Sequence, residues 1–197
     1  MNQFTFKLKN KIFLYNFKLN QPTGKEWSER IVETPLAFHF LNMFDHKNII
    51  EIGAFTPYFL DEVNHKVYDV DDPHPVCDRT DLTETNFSFK NKNVLIISTL
   101  EHIGFGDYNQ KKQLDKSINF LNKVVSESDN YLITWGCGYN TYLDNYVETQ
   151  FKDYIFMRRI SATDWYVDDK NKSLSSVKYG TPYRCANGLV IISNLNL

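Results

Sequence analysis

The chain has 197 residues, of which 42% are hydrophobic and 23% are charged. This composition excludes an intrinsically disordered chain, and the length is typical of one globular domain, which we predict to span residues 1–197. The formal net charge is −2 and no long run of basic residues occurs, so nucleic acid is not an expected partner.

The three cysteines, Cys77, Cys137 and Cys185, are far apart, and no pair of them has the spacing of a zinc finger. A reduced, cytoplasmic chain without disulfides or a metal site is therefore expected. The first 17 residues alternate polar and apolar side chains and contain no long apolar run. We predict neither a signal peptide nor a membrane span there.

The N-terminal part, residues 1–25, is predicted to form a β-hairpin because apolar side chains alternate along it. Ser28 is a suitable N-cap for a following helix that carries Ile31 and Phe40 at helical spacing. Pro35 lies inside this helix and is expected to kink or split it.

From residue 48 onward, apolar strand patterns alternate with helical ones. The predicted strands are 48–53, 66–70, 75–79, 93–98, 131–135, 154–160 and 188–193, and the predicted helices are 57–64, a long amphipathic one through 114–125, and 141–149. This order predicts an α/β fold with a three-layer, doubly wound, mostly parallel sheet and right-handed crossovers. The last two strands are joined by a long loop without a helical pattern, so we expect an antiparallel C-terminal strand.

Four segments, in chain order, carry a resemblance to a known family: IIEIG (49–53), KVYDV (66–70), CDRTDL (77–82) and NVLIISTLEHIG (93–104). Over roughly residues 26–193 the chain resembles the class I S-adenosylmethionine-dependent methyltransferases. It is most similar to small methyltransferase-like proteins of polysaccharide and nucleotide-sugar pathways. In those proteins the segments ERIVETP, GYNTYLD and YGTPYRCANGLVI also have counterparts. The implied fold is Rossmann-like.

The resemblance implies that S-adenosylmethionine is the cofactor, bound at the carboxyl ends of the strands. Gly53 would let the backbone approach the cofactor, and Asp69 would accept hydrogen bonds from the ribose hydroxyls. Thr56, followed by a proline, would begin a helix whose free N–H groups bind the methionine carboxylate. Asp81 would receive the adenine amino group, and Leu82 would pack on its ring. The expected cofactor-binding residues are Glu51, Gly53, Thr56, Asp69, Asp81, Leu82, Ser98 and Glu101.

The cofactor loop departs from the family pattern in two ways. The second and third glycines of the usual loop are absent, and Phe55 and Pro57 occupy the region. The connection between residues 70 and 93 is also too short for two full crossover helices. Two interpretations follow: the cofactor is held with fewer backbone contacts, or the site is degenerate.

His102 is the candidate general base for methyl transfer to a hydroxyl of a small, polar, carbohydrate-like acceptor. Such a transfer needs aligned reactants and, for a hydroxyl acceptor, a group that removes its proton. His102 follows the 93–98 strand, between Glu101 and the glycines at 104 and 106 that let the loop fold over a substrate. Glu101 would orient the imidazole or bind the cofactor. The alternative is that His102 caps the following helix.

Four further residues are candidates for acceptor binding. Tyr139 and Asn140 follow the 131–135 strand and would hydrogen-bond a sugar, although Gly138-Tyr139-Asn140 also suits a turn before a helix. Arg30 and Arg184 would bind a phosphate or carboxylate, and the alternative for each is a surface ion pair.

Two other groups of residues each allow two interpretations, one functional and one structural. Trp165 and Tyr166 would either stack on a sugar face or cover the core. Asp71 and Asp72, beside His74, suggest a metal site but are more typical of a solvated turn.

Two alternative functions come from different classes. A non-catalytic methyltransferase-like interaction module would explain the missing glycines. An NAD-dependent enzyme would use a similar sheet, but the antiparallel C-terminal strand expected here disfavours it. Neither the nucleophile elbow of hydrolases nor a P-loop occurs in the sequence. The acceptor and the oligomeric state do not follow from the sequence.

Overall fold

The computed structural model describes residues 3–8, 11–16, 28–107, 111–169 and 173–197. They form an α/β structure with one mixed eight-stranded sheet and one antiparallel two-stranded hairpin. The hairpin strands are β1 (Gln3–Leu8) and β2 (Lys11–Asn16). The sheet strands are β3 (Ile49–Ile52), β4 (Lys66–Tyr68), β5 (Cys77–Asp78), β6 (Asn93–Ile97), β7 (Asn130–Gly136), β8 (Tyr154–Arg159), β9 (Trp165–Val167) and β10 (Gly188–Ser193). The helices are α1 (Arg30–Met43), α2 (Asp115–Glu127) and α3 (Thr141–Gln150).

The strands of the sheet are ordered β5-β4-β3-β6-β7-β10-β8-β9. The pairs from β5 to β7 are parallel, whereas β10 is antiparallel to both β7 and β8. The chain runs outward from β3 to β5 and then returns to β6, on the other side of β3. The carboxyl ends of β3 and β6 therefore form a topological switch point, where open α/β sheets bind their ligands.

Hydrophobic cores lie on both faces of the sheet because successive strand side chains point to opposite faces. Ile50 and Val94 belong to a core that includes side chains of α2 and α3. Ile49 and Leu95 belong to a second core, built with α1 and the β1–β2 hairpin. All five residues of β6 are buried, as expected for a central strand covered on both faces.

Most predicted elements are confirmed, with bounds that differ by a few residues at most. The antiparallel C-terminal strand is present as β10. The predicted hairpin is confirmed for 3–8 and 11–16, and the rest of 1–25 lies outside the described residues. None of the described helices is long and apolar enough to cross a bilayer.

Helix α1 is not split at Pro35, so of the two expected effects of this proline, a kink or a split, the split is wrong. It runs unbroken from residue 30 to 43, and Ser28 lies just before it with its Oγ accepting a hydrogen bond from the Arg30 N–H. Pro35 is buried together with Leu36 and Phe40. This packing offsets the backbone hydrogen bond that proline cannot make.

The predicted helix 57–64 is wrong. Only a 3₁₀ turn, Thr56–Tyr58, forms between β3 and β4. The aromatic residues of this segment make other contacts instead. The Phe55 and Phe59 ring centres lie 4.7 Å apart with the rings tilted, and the Tyr58 hydroxyl donates to the Asp72 carboxylate at 2.8 Å. Their apolar and aromatic character imitates a helical pattern that these tertiary contacts override.

The long loop before β10 contains two short elements that the sequence did not reveal. Strand β9 pairs with β8 at the edge of the sheet, and Leu174–Ser176 forms a 3₁₀ turn. Both are three residues long, too short for a periodic pattern to indicate them.

Candidate functional site

A cleft of about 610 Å³ lies at the carboxyl ends of β3, β4 and β6 and includes the switch point. Nine of the thirteen residues selected from the sequence line it. They are Arg30, Gly53, Asp69, Asp81, Leu82, Ser98, Glu101, His102 and Tyr139. The fold therefore brings together residues that are separated by up to about a hundred positions in the chain.

The other four selected residues do not line the cleft. Glu51 and Thr56 are fully buried behind the loop that follows β3. Asn140 caps helix α3, because its side chain accepts a hydrogen bond from the Leu143 N–H at 3.2 Å. Arg184 is exposed on the loop before β10. For these residues, direct contact with a ligand stays a prediction without support from the cleft geometry.

The carboxylate of Glu51 holds the loop after β3 from within. Its Oε1 accepts hydrogen bonds from the N–H groups of Phe55 and Thr56, both at 2.7 Å. Its Oε2 contacts the Thr56 hydroxyl and His65 Nε2. The N–H groups expected to bind a methionine carboxylate are thus already occupied by a side chain of the protein. That part of the prediction is wrong.

Gly53 is required by the packing of two loops at the switch point. Its φ of +85° lies in the left-handed region, and a Cβ at this position would stand 1.8 Å from Thr99 Oγ1. The next residue, Ala54, donates its N–H to Asp69 Oδ2 at 2.9 Å. Gly53 therefore joins the ends of β3 and β6 closely, whatever ligand the cleft binds.

Asp69 and Asp81 lie on the wall of the cleft formed after β4 and β5. Asp69 Oδ1 accepts hydrogen bonds from the N–H groups of Asp71 and Asp72, at 3.0 and 2.9 Å. Asp81 Oδ2 is 3.3 Å from Lys116 Nζ, and its Oδ1 caps the turn at Thr83. A carboxylate has about four acceptor positions, so both side chains retain capacity for a ligand.

His102 is part of a hydrogen-bonded group on the loop after β6. Its Nδ1 lies 2.6 Å from Asp107 Oδ2, and the Tyr139 hydroxyl donates to the same oxygen at 3.0 Å. The rings of His102 and Tyr139 are 4.7 Å apart. Because Asp107 is an acceptor, Nδ1 carries the proton in the neutral imidazole, and Nε2 is then the basic nitrogen.

The inner end of the cleft holds acids around one guanidinium. Arg30 forms an ion pair with Glu33, and its guanidinium lies 5.0 Å from the centre of the Phe55 ring. Glu33 also accepts hydrogen bonds from the hydroxyls of Ser98 and Thr134, each at 2.7 Å. Burial raises the pKa of the Glu33 carboxyl despite the neighbouring Arg30 charge.

The charge of the cleft lining is predominantly negative. Its acids are Glu29, Asp69, Asp71, Asp72, Asp81 and Glu101, and its bases, apart from His102, are Arg30 and Lys116. Both bases are paired with acids: Arg30 with Glu33, and Lys116 with Asp81 and Glu84. Such a lining attracts cationic groups and repels phosphates.

The remaining candidates lie outside the cleft or have structural contacts. Trp165 is buried in the core beside α1, and Tyr166 points to solvent on β9. Asp72, which lines the cleft, accepts the hydroxyl of Tyr58 and the N–H of His74. Among the described residues, no group of three or more His, Cys, Asp or Glu side chains is placed to hold a metal ion.

Several residues of the site were missed from the sequence. Asp107 follows His102 by five positions in the same loop, and this short spacing was the one available signal. Glu29 and Glu33 flank Arg30 at the start of α1, but their hydrogen-bond partners, Ala186 for Glu29 and Ser98 and Thr134 for Glu33, lie far away in the chain. Tyr179 lines the cleft from the loop before β10, and no pattern in the sequence indicates it.

Comparisons of the chain with protein-family models, with curated proteins and with solved structures gave no match.

Proposed function

We propose that the chain is an S-adenosylmethionine-dependent methyltransferase that acts on a hydroxyl of a small, polar, carbohydrate-like acceptor. The observation that carries the proposal is that nine residues selected from the sequence line one cleft at the switch point. They include Arg30, which reaches the cleft from α1 and follows no strand.

The architecture supports the same proposal. The family resemblance implies a three-layer, doubly wound, Rossmann-like sheet. The two cores on opposite faces, the outward runs of strands on both sides of β3 and the antiparallel β10 agree with that arrangement.

The charge of the cleft favours this cofactor over a dinucleotide. S-adenosylmethionine carries a sulfonium, an ammonium and one carboxylate and so has a net positive charge, whereas NAD carries a pyrophosphate that an acidic lining would repel. The two bases of the lining, Arg30 and Lys116, already contact carboxylates. Dinucleotide sites usually offer a glycine-rich turn with free N–H groups, and here Glu51 occupies those of Phe55 and Thr56.

The cofactor's nucleoside would lie along the wall formed after β4 and β5. Asp69 would accept the ribose hydroxyls, Asp81 the adenine amino group, and Leu82 would pack on the adenine ring. Gly53 and Ala54 would border the centre of the cofactor, because they lie between this wall and the loop after β6. When bound, S-adenosylmethionine would supply an electrophilic methyl group, whose bond to sulfur breaks as the thioether S-adenosylhomocysteine leaves.

His102 would act as the general base. Its Nε2 accepts the proton that the acceptor hydroxyl loses as its oxygen forms the bond to carbon. Asp107 fixes the tautomer that makes Nε2 basic and stabilises the imidazolium that results. Tyr139 shares the Asp107 carboxylate and packs at a tilted angle against the imidazole, so it limits rotation of the His102 ring.

The direct test is incubation with methyl-labelled cofactor and a panel of sugars, nucleotide sugars and glycans. We expect label transfer to at least one acceptor. His102→Ala should lower kcat by about 10²- to 10⁴-fold and leave cofactor affinity unchanged, because general bases contribute about this much. Asp107→Asn should give a smaller loss with an altered pH profile. Absence of transfer to every acceptor, together with absence of cofactor affinity, would overturn the proposal.

A non-catalytic methyltransferase-like module is the second candidate. The observation that favours it is that Glu51 blocks the N–H groups through which the loop after β3 would contact a cofactor. This candidate predicts a stable protein partner on pull-down and no binding of S-adenosylmethionine or its product at millimolar concentration. Saturable binding of the product would exclude it.

A further inference from the structure

The inner end of the cleft contains three acids and one base. Glu29, Glu33 and Glu101 are all buried, with exposed fractions of 5%, 0% and 3%. Arg30 is the base among them, and its ion pair is with Glu33. The Arg159 guanidinium also interacts electrostatically with Glu29, and burial raises the pKa of Glu33 and of Glu101.

The carboxylate oxygens of these three acids differ in their hydrogen bonds. Both oxygens of Glu33 are engaged, and Glu29 Oε2 accepts the Ala186 N–H at 3.1 Å. Glu101 Oε1 accepts a long hydrogen bond from the Gly136 N–H, at 3.4 Å. Glu101 Oε2 is buried and has no hydrogen-bond partner within the part of the chain that the structure describes.

A buried carboxylate oxygen without a partner is costly, and in native proteins such atoms usually bind a group supplied from elsewhere. A metal ion does not suit this position, because the described residues offer no cluster of three or more metal-binding side chains. A phosphate or carboxylate ligand is repelled by the acids. An organic cation that donates a hydrogen bond would supply the missing partner of Oε2 and favour the ionised form of Glu101.

Two aromatic rings beside Glu101 strengthen this interpretation. Tyr139 and Tyr179 line the same cleft, and their rings meet edge to face at 5.1 Å. Aromatic faces attract ammonium groups, above all where water is excluded. Tyr179 is also close enough to Glu29 and Glu101 for their charges to raise the pKa of its hydroxyl, although burial is the main cause.

We propose that Glu101 and Glu29, with the Tyr139 and Tyr179 rings, form a subsite for an alkylammonium group at the inner end of the cleft. The source of that ammonium rests on the proposed function. It is either the α-amino group of the cofactor or an amino group of the acceptor. Both sources present the same chemistry to Glu101, and they are separated by the ligands chosen below.

The test is calorimetric titration with two pairs of ligands that differ in one amino group. The first pair is S-adenosylhomocysteine and its desamino analogue, which keeps the nucleoside and the carboxylate. The second pair is 6-amino-6-deoxyglucose and glucose, titrated at neutral pH with and without S-adenosylhomocysteine. The variant is Glu101→Gln, which keeps the shape of the side chain and removes its charge. Glu29→Gln is a second variant, and its amide oxygen can still accept the Ala186 N–H.

We expect the amino member of one pair to bind about 10-fold or more tightly than its partner, as charge-assisted hydrogen bonds do. Glu101→Gln should reduce this preference to about threefold or less, and Glu29→Gln should reduce it partly. A preference confined to the first pair identifies the cofactor as the source. A preference confined to the second pair identifies the acceptor.

The outcomes separate this proposal from the proposed function. If S-adenosylhomocysteine binds but neither amino group improves affinity, the ammonium subsite is overturned and the cofactor site stands. If adenosine ligands fail to bind while the amino sugar is preferred over glucose, the subsite stands and the methyltransferase proposal fails. An equal preference in the wild type and in a folded Glu101→Gln variant removes Glu101 from the subsite.

Discussion

The two halves of the sheet are stabilised in different ways. From β6 to β8, the connections contain α2 and α3, whose apolar faces pack on the strands. From β3 to β6, the described connections contain only a 3₁₀ turn, and β4 and β5 are three and two residues long. The same sheet therefore has a helical half, from β6 to β8, whose connections contain helices, and a short half, from β3 to β6, whose connections do not.

Carboxylates replace the missing helices in the short half. Glu51, Asp69, Asp72, Asp78 and Asp81 each accept one or more backbone N–H groups of the loops there. Such bonds satisfy the N–H groups that a helix would have paired internally. The comparison shows why the cleft is acidic, since the side chains that order its loops are acids.

Core packing in the helical half should give the largest effect on stability. Leu121 of α2 is completely buried in the core on that face. We expect Leu121→Ala to lower the free energy of unfolding by about 2–5 kcal/mol, because it leaves a cavity. Denaturant unfolding measures this change. Asn119→Ala, at an exposed position of the same helix, is the control and should change stability by about 0.5 kcal/mol or less.

In the short half, removal of one carboxylate should loosen one loop. Glu51→Ala leaves the N–H groups of Phe55 and Thr56 without their acceptor. We expect a loss of about 1–3 kcal/mol and faster amide exchange confined to residues 54–65. Hydrogen exchange with mass spectrometry resolves this segment. An equal increase in amide exchange in α2 would show that the two halves of the sheet unfold as one unit. That result would contradict the difference in stabilisation between the halves.

The pH dependence of the free energy of unfolding should identify Glu101 as a buried acid at the inner end of the cleft. Burial is the main cause that raises the pKa of Glu101 well above its ordinary value. The folded protein then binds this proton more tightly than the unfolded chain. The contribution of Glu101 to the free energy of unfolding is therefore most favourable below the unfolded pKa of about 4.3 and falls as pH rises toward the raised pKa.

Glu101→Gln removes this titration, so its stability should fall less than that of the wild type as the pH rises through that window. Thermal unfolding across the acidic and neutral range measures the difference. Glu62→Gln, which changes an exposed carboxyl, is the matched control and should follow the wild type. Parallel curves for Glu101→Gln and the wild type would contradict the assignment.

The sequence predicted the sheet better than it predicted the connections of the short half. Continuous apolar runs such as 93–97 and 188–193 indicate buried strands without further information. The segment 57–64 misled because its aromatic residues imitate a helical face, whereas their partners, such as Asp72, lie after the next strand. Tertiary contacts of this kind leave no local pattern.

The same distinction holds for the site. Gly53 and Asp69 were selected through the family resemblance, and because they directly follow β3 and β4 they meet at one edge of the sheet. Glu33 was missed because its partners Ser98 and Thr134 lie 65 and 101 residues away in the chain. Asp107 was missed because its role is to orient a residue that was already identified.

The central claim, that this cleft binds an adenosine cofactor, needs a variant that blocks the cleft without disturbing the fold. Gly53→Trp, which should abolish binding, would also force the loops apart, since a Cβ there meets Thr99. Ala54 lines the cleft next to it and lacks the positive φ. Ala54→Trp is therefore the better blocking variant, and Ala162→Trp, at an exposed position outside the cleft, is its control.

The most direct measurement is calorimetric titration of the wild type, Ala54→Trp and Ala162→Trp with S-adenosylhomocysteine. We predict saturable micromolar binding by the wild type and by Ala162→Trp, and its loss in Ala54→Trp. Wild-type protein that gives no binding heat up to millimolar ligand, or a folded Ala54→Trp variant that binds as tightly as the wild type, would contradict the claim.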